Sequence, residues 1–164
     1  YRPLHALCRF FLESSGASHE RGDRTMLPFL VDMAKLYELF VAEWLQENPP
    51  QGFFFKKQHP VDIGQNRHFR IDLILCHVAT GEARAVLDTK YKAPDRAADT
   101  DIYQMISYAK ATRCSEAFLI YPTGLKEPLD IRSGDIRVRS LTFSLKGNLH
   151  RAGQSLLEDL PILC

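Results

Sequence analysis

The chain has almost no net charge, few and scattered cysteines, and no long apolar run, and each lack removes a class of protein. Its 21 Lys and Arg against 20 Asp and Glu leave +1 at pH 7. Any surface for a polyanion must therefore be local rather than global. The four cysteines, Cys8, Cys76, Cys114 and Cys164, stand far apart, with no CxxC spacing and no histidine at zinc-ligand distance. That pattern argues against a zinc ribbon or a disulfide framework and fits reduced thiols in a reducing compartment. No stretch approaches the ~18–20 apolar residues of a membrane span, and no signal-peptide pattern opens the chain. The expected location is cytoplasmic. His5, His19, His59, His68, His77 and His150 form neither HxH nor HExxH, so they are read as structural or solvent-exposed.

What is present is the material of one folded domain. The chain has 164 residues, 45% of them hydrophobic and 25% charged, which is ordinary for a globular protein and argues against disorder. A domain of this size buries roughly two-thirds of its unfolded surface. The chain begins at Tyr1 rather than methionine and opens directly into an amphipathic segment. It reads as the C-terminal part of a longer protein.

Apolar periodicity divides the chain. Residues Pro3 to Glu13 have a helical pattern, and Ser14 to Asp23 have none and read as a loop. A long helix is expected from about Leu27 to Gln46. Leu27, Leu30, Val31, Ala34, Tyr37, Val41, Trp44 and Leu45 recur at helical spacing, and Asn48-Pro49-Pro50 stops it. The period then changes. Phe53 to Gln58, Phe69 to Cys76, Ala83 to Tyr91 and Ala117 to Tyr121 are β-rich runs bounded by turn residues such as Ile63-Gly64-Gln65-Asn66 and Thr80-Gly81. A helix from about Asp99 to Thr112 separates the third and fourth runs, as in a β-α-β crossover. A strand from Ile136 to Phe143 and a helix near Leu149 to Asp159 complete the outline. The expected fold is α/β, with a mixed central sheet flanked by helices.

Several polar residues do not fit a pure core. In Arg70-Ile71-Asp72-Leu73-Ile74-Leu75, strand alternation sets Ile71 and the leucines on one face and Asp72 with Ile74 on the other. A carboxylate in so apolar a strand needs a reason, because burying an unpaired charge costs several kcal/mol. In the next strand, Asp88, Lys90 and Lys92 share a face. Taken alone, an Asp-x-Lys is ordinarily a structural ion pair, and an acid on a strand ordinarily faces water at a sheet edge. Two coincidences weigh against that. Glu38 lies on the apolar stripe of the long helix, and Gln104 and Tyr108, four apart, project from one face of the crossover helix. An acid on a helix, an acid on one strand, an Asp-Thr-Lys on the next and a Gln/Tyr pair on the following helix together suggest a metal site with a cation beside it.

The order of these residues resembles that of the PD-(D/E)xK nuclease superfamily, and Gln104-x-x-x-Tyr108 resembles the element of its RecB-like branch. More narrowly, Phe29-Leu30-Val31-Asp32-Met33 with Leu36-Tyr37-Glu38, then Leu87-Asp88-Thr89-Lys90-Tyr91-Lys92, Tyr103-Gln104-Met105-Ile106-Ser107-Tyr108 and Tyr121-Pro122, are similar to the McrC nuclease subunits of McrBC 5-methylcytosine-specific restriction systems. The similarity runs from about Thr25 to Pro122. One departure is Ile71-Asp72 where many members have Pro-Asp. The proline is a backbone preference rather than a ligand, so the acid is retained.

The resemblance implies a restriction-endonuclease-like core, with residues 1–164 a single nuclease domain. It also implies a Mg²⁺-dependent DNA endonuclease, with Mn²⁺ able to substitute, activated by a McrB-like AAA+ GTPase. Asp72, Asp88 and the Thr89 backbone carbonyl would be metal ligands. Glu38 would be a further catalytic residue, completing the acidic pocket or holding a water beside the metal's ligands, and Gln104 and Tyr108 would position Lys90 or a DNA phosphate. Lys90 could orient the attacking water, stabilise developing negative charge or act as a base, and the residues alone leave these roles open.

Basic groups near the first hairpin (Lys56, Lys57, Arg67, Arg70) and near the end (Arg132, Arg137, Arg139, Lys146, Arg151) fit a surface that tracks a DNA backbone, although such clusters are commonly just solvated faces. No helix has a coherent Arg/Asn face for reading bases. The alternatives are a partner-independent nuclease of DNA repair or phage defence, and a non-catalytic assembly module for an AAA+ motor.

Overall fold

The computed structural model describes residues 31–62, 68–92 and 94–160. By compactness the chain divides into Tyr1–Leu30 and Val31–Cys164, and the described residues all lie in the second unit. The helix expected over Pro3 to Glu13, the loop after it and the turn at Ile63 to Asn66 lie outside the described residues.

Helix α1 spans Met33–Glu47. Asp32 caps it, accepting a hydrogen bond from the Lys35 backbone N–H at 3.0 Å, and the Leu27 to Leu30 part of the expected helix lies outside the described residues. A capping carboxylate satisfies donors that the first helical turn leaves free. Strands β1 (Phe53–Asp62), β2 (His68–His77) and β3 (Ala83–Thr89) form an antiparallel meander. Helix α2 (Asp99–Thr112) carries the chain to β4 (Glu116–Tyr121), which pairs parallel to β3 as the crossover pattern required. Strands β5 (Asp130–Ser133) and β6 (Ile136–Thr142) follow, then helix α3 (Leu149–Glu158). The sheet order is β1-β2-β3-β4-β6-β5.

Strand β5 was not foreseen. Its four residues are all exposed, so it carries no apolar alternation to find, and only its pairing with β6 makes it a strand.

The sheet separates two cores. On one face Leu73, Leu75, Leu87, Phe118 and Ile120 pack against Tyr37, Val41, Trp44 and Leu45 of α1 and Leu156 of α3. On the other Ile74, Val86, Leu119, Tyr121 and Val138 pack against Met105, Tyr108 and Ala109 of α2. A sheet with both faces covered buries its central strands, which is why β3 and β4 read as near-continuous apolar runs. Asp88 is the one buried charged residue among those described.

One expectation about β2 is corrected. Ile71 packs in the α2-side core with Ile74, whereas Leu73 and Leu75 pack in the α1-side core. Alternation therefore breaks at Asp72. Opposite it, Gln58 adopts φ 49°, and the ladder passes from the pair Lys57–Leu73 to His59–Ile71 without a Gln58–Asp72 pair. A left-handed residue interrupts strand pairing and re-aims nearby side chains. Period-two counting cannot anticipate such a break.

Helix α3 sits tightly on α1. A Cβ built at Gly153 would lie 2.3 Å from the Trp44 ring, and Trp44 is only 2% exposed. The close approach requires glycine, although glycine is a poor helix former. We expect Gly153→Ala to destabilise the chain by about 1–3 kcal/mol, since overpacking outweighs the gain in helix propensity. Urea unfolding monitored by Trp44 fluorescence measures it. An unchanged or higher midpoint would show that the ring yields freely.

Candidate metal and nuclease site

The candidate side chains lie where β2 and β3 end their pairing, near the start of α2. The antiparallel register pairs Leu73 with Leu87, and one step further along both strands places Asp72 across from Asp88. The Asp72 carboxylate turns to Thr89, with Oδ2 accepting from the Thr89 backbone N–H at 3.2 Å and from its hydroxyl at 3.4 Å. Asp88 is 4% exposed, and its Oδ2 lies 2.8 Å from Lys90 Nζ. That contact is an ion pair without hydrogen-bond alignment, so the buried Oδ2 has no hydrogen-bond partner.

Lys90 is held from a second side by α2. Its ammonium lies 3.2 Å from Asp101 Oδ1 and donates to Gln104 Oε1 at 3.2 Å. Gln104 Nε2 donates to the Tyr108 hydroxyl at 2.6 Å, and that hydroxyl donates to the Arg70 carbonyl at 3.3 Å. The four-residue spacing of Gln104 and Tyr108 thus ties Lys90, just past the end of β3, to the backbone of β2, two residues before Asp72. Lys90 donating to the amide oxygen leaves the amide nitrogen to face Tyr108, so the orientation of Gln104 follows from its neighbours.

Glu38 approaches from α1. Its Oε1 takes Lys35 Nζ at 2.6 Å and Gln58 Nε2 at 3.4 Å. Gln58 is the left-handed residue opposite Asp72, so the same break in the ladder that re-aims Asp72 also brings an amide to Glu38.

The electrostatics are those of crowded carboxylates. Burial pushes the Asp72 carboxyl up to about 6, and repulsion from Asp88 and Glu38 adds to it against the pull of the Thr89 N–H and Lys90. Burial likewise raises Asp88, opposed by Lys90 and reinforced by Asp101 and Glu38. Burial alone would lower Lys90, but Asp88 and Asp101 outweigh it and hold the ammonium above the ordinary lysine value. Tyr121 stands beside Lys90 on the next strand, following the Thr89–Ile120 pair. Its hydroxyl is buried without a hydrogen-bond partner, and burial, then the Asp101 charge, pushes it up to about 12.

Asp88, Lys90, Gln104 and Tyr108 are therefore brought into one network, with Asp72 held by Thr89 and near enough to feel Asp88 and Lys90, and Glu38 near enough to act on both aspartates. Among the described residues no three His, Cys, Asp or Glu side chains gather closely enough to hold an ion on their own. Two acids on adjoining strands, one with an orphaned buried oxygen, nonetheless fit a hard cation, which typically takes one or two protein carboxylates and fills its remaining positions with water and phosphate. Sequence reasoning missed Asp101 and Gln58. Asp101 had a signal, standing three residues before Gln104 on the same helical face. Gln58 had none.

The basic clusters are neutralised in part. Lys57 pairs with Glu43 at 2.6 Å, Arg137 with Asp130 through two contacts of 2.6 and 2.7 Å, and Arg139 with Glu116 at 2.8 Å. Arg67 lies outside the described residues. Among the described residues no helix is long and apolar enough to cross a membrane, and Cys76 and Cys114 are free thiols.

A helix, an antiparallel meander and a parallel crossover, with two acids and a lysine at the end of the meander, define a restriction-endonuclease-like fold. Residues 1–122 match the family described as McrBC 5-methylcytosine restriction system component, and the chain belongs to that family. Among solved structures it is similar to a chain of the refined half-complex from a tetradecameric assembly of Thermococcus gammatolerans McrB AAA+ hexamers with bound McrC. That match has 16% identity and a TM-score of 0.64, covering 80% of this chain and 33% of the other. At such identity the likeness establishes the fold alone, and the chain spans about a third of the length of the one it matches. No curated protein matches it. The similarity to McrC carried by Asp88-Thr89-Lys90-Tyr91-Lys92 and Gln104-x-x-x-Tyr108 agrees with both findings.

A raised carboxyl has a consequence for stability. Folded Asp72 keeps its proton up to about pH 6, whereas the unfolded residue loses it near 3.8. The folded state binds more protons in that window, so stability falls as pH rises through it and stays lower above it. We expect Asp72→Asn to lessen this decline and to melt at a higher temperature at neutral pH without metal. Melting curves from about pH 4 to 7 check it. Equal slopes for both chains would show that Asp72 is not perturbed.

Proposed function

We propose that this chain is a Mg²⁺-dependent DNA endonuclease subunit of a McrBC-like modification-dependent restriction system, hydrolysing phosphodiesters when activated by a McrB-like AAA+ GTPase. Residues 1–164 would then form one nuclease domain in the C-terminal part of a longer protein. The observation that carries this reading is the Asp88 carboxylate. It is buried, has an oxygen without a hydrogen-bond partner, lies across from Asp72, and has an ammonium 2.8 Å away. A burial so costly is expected where a site needs it.

Asp72, Asp88 and the Thr89 backbone carbonyl would hold the cation, with Mn²⁺ an acceptable substitute. When bound, the ion would supply charge neutralisation at the scissile phosphate and acidify the attacking water. Thr89 secures Asp72 through its N–H and hydroxyl, so that carboxylate is oriented before any ion arrives. Lys90 stays protonated between two carboxylates, which favours stabilising developing negative charge over acting as a base. Gln104 fixes the ammonium and is itself fixed by Tyr108, whose anchorage on the Arg70 carbonyl keeps α2 in register with β2. Glu38 adds negative potential, and because it is held by Lys35 and Gln58 its part is to shape the pocket rather than to meet the ion directly.

Reading of methylated DNA would fall to the GTPase partner, since the described surface has no base-reading helix and several of its cations are paired with acids. Incubating the chain with plasmid DNA, Mg²⁺, GTP and such a partner tests the proposal. We expect Asp88→Ala and Lys90→Ala each to lower cutting by about 10²-fold or more, compared at equal folded concentration judged by circular dichroism. Undiminished cutting in either variant would refute the assignment. Cutting by the isolated chain without nucleotide would instead favour a partner-independent nuclease, and inactivity of the unaltered complex an assembly role.

A further inference from the structure

Lys90 is crowded by three acceptors. An ammonium carries three N–H groups and accepts nothing, and its three near partners are Asp88 Oδ2 at 2.8 Å, Asp101 Oδ1 at 3.2 Å and Gln104 Oε1 at 3.2 Å. With three acceptors within 3.2 Å of the ammonium, a phosphate oxygen or a water can reach it only by displacing one of them. To act on a substrate, Lys90 must release one partner.

The two sides differ. Asp88 holds the ammonium from the sheet and is nearly buried, with 6% of its side chain exposed against 27% for Asp101. Asp101 and Gln104 hold it from one face of α2, three residues apart. Asp101 lies in the first turn of the helix, where the exposed N–H groups favour a negative charge and keep the carboxylate in place. A dication drawn to Asp88 competes with the ammonium for the same oxygen. The helix-side pair does not face that competition.

Building on the nuclease reading, we propose that Asp101 is a positioning residue. It retains Lys90 from the helix side when a divalent cation takes Asp88, so that the ammonium gives up one N–H to the substrate phosphate without leaving the site. Asp101 acts through Lys90 and is not itself a ligand of the cation. Without Asp101 only the neutral Gln104 holds the ammonium from the helix side, so it leans further on Asp88 and obstructs the cation.

The test is a double-substitution cycle read by titration calorimetry with Mn²⁺ alone, on the unaltered chain, Asp101→Asn, Lys90→Met and the pair together. Asp101→Asn is expected to weaken Mn²⁺ binding about 5- to 10-fold when Lys90 is present and by less than about 2-fold when residue 90 is Met. The same fold-loss in both backgrounds would overturn the proposal, because Asp101 would then act on the cation directly through its own charge. Cutting supplies a second reading: kcat should fall about 10-fold in Asp101→Asn with KM for DNA little changed, and Asp101→Glu should restore most of it. A KM effect without a kcat effect would also overturn it. Absence of Mn²⁺ binding by the unaltered chain would end the nuclease reading and this one together, whereas Mn²⁺ binding without coupling would end this one alone.

Discussion

An almost fully buried carboxylate survives at Asp88 because an ammonium stands 2.8 Å from it. Desolvation of an isolated charge in such a place would cost several kcal/mol, and the attraction of Lys90 offsets part of that without cancelling it, since the Asp88 carboxyl remains raised. The remainder of the site follows from holding this pair where it is. Lys90 cannot be allowed to swing into water, so Asp101 and Gln104 grip it from α2, and Gln104 is in turn braced through Tyr108 on the backbone of β2. The network therefore crosses from sheet to helix and back, and α2 is fastened at the site as well as by its apolar face.

The architecture serves that arrangement. Strand β3 lies between an antiparallel neighbour and a parallel one, so Asp72 reaches the site from one side and Tyr121 from the other. Covering both faces of the sheet with helices keeps the surroundings of Asp88 dry, and a dry environment strengthens every charge interaction within it. The local break opposite Gln58 is the complement to this rigidity. Where regular pairing would have kept Asp72 on the strand's own alternation, the interruption lets its carboxylate reach the N–H and hydroxyl of Thr89. Such costs in regularity are common where side chains must converge for chemistry.

Much of the plan was legible in the chain. The meander, the crossover helix and the last strand and helix all announced themselves by changes of period, because a half-buried helix and a doubly covered strand leave different apolar patterns. Asp72, Asp88, Lys90, Gln104 and Tyr108 stood out because polar groups at apolar positions need partners. The edge strand β5 did not stand out, since four exposed residues carry no pattern. The basic clusters were legible as composition but not as surface, because the acids that neutralise Lys57 and Arg139 come from distant parts of the sequence.

The amino-acid order alone determined which residue types were available for a site, and in what succession along helix and strand, because periodicity and polarity are properties of neighbouring residues. It determined the family as well, through short motifs. Only the tertiary structure decided which of those residues touch. That Lys90 is shared between Asp88 and Asp101, that Gln58 breaks the ladder and engages Glu38, and that Ile71 leaves the face of Leu73 are all outcomes of strands and helices meeting across long separations. Electrostatic balance and strand register arise from that meeting, and neither is written in any single segment.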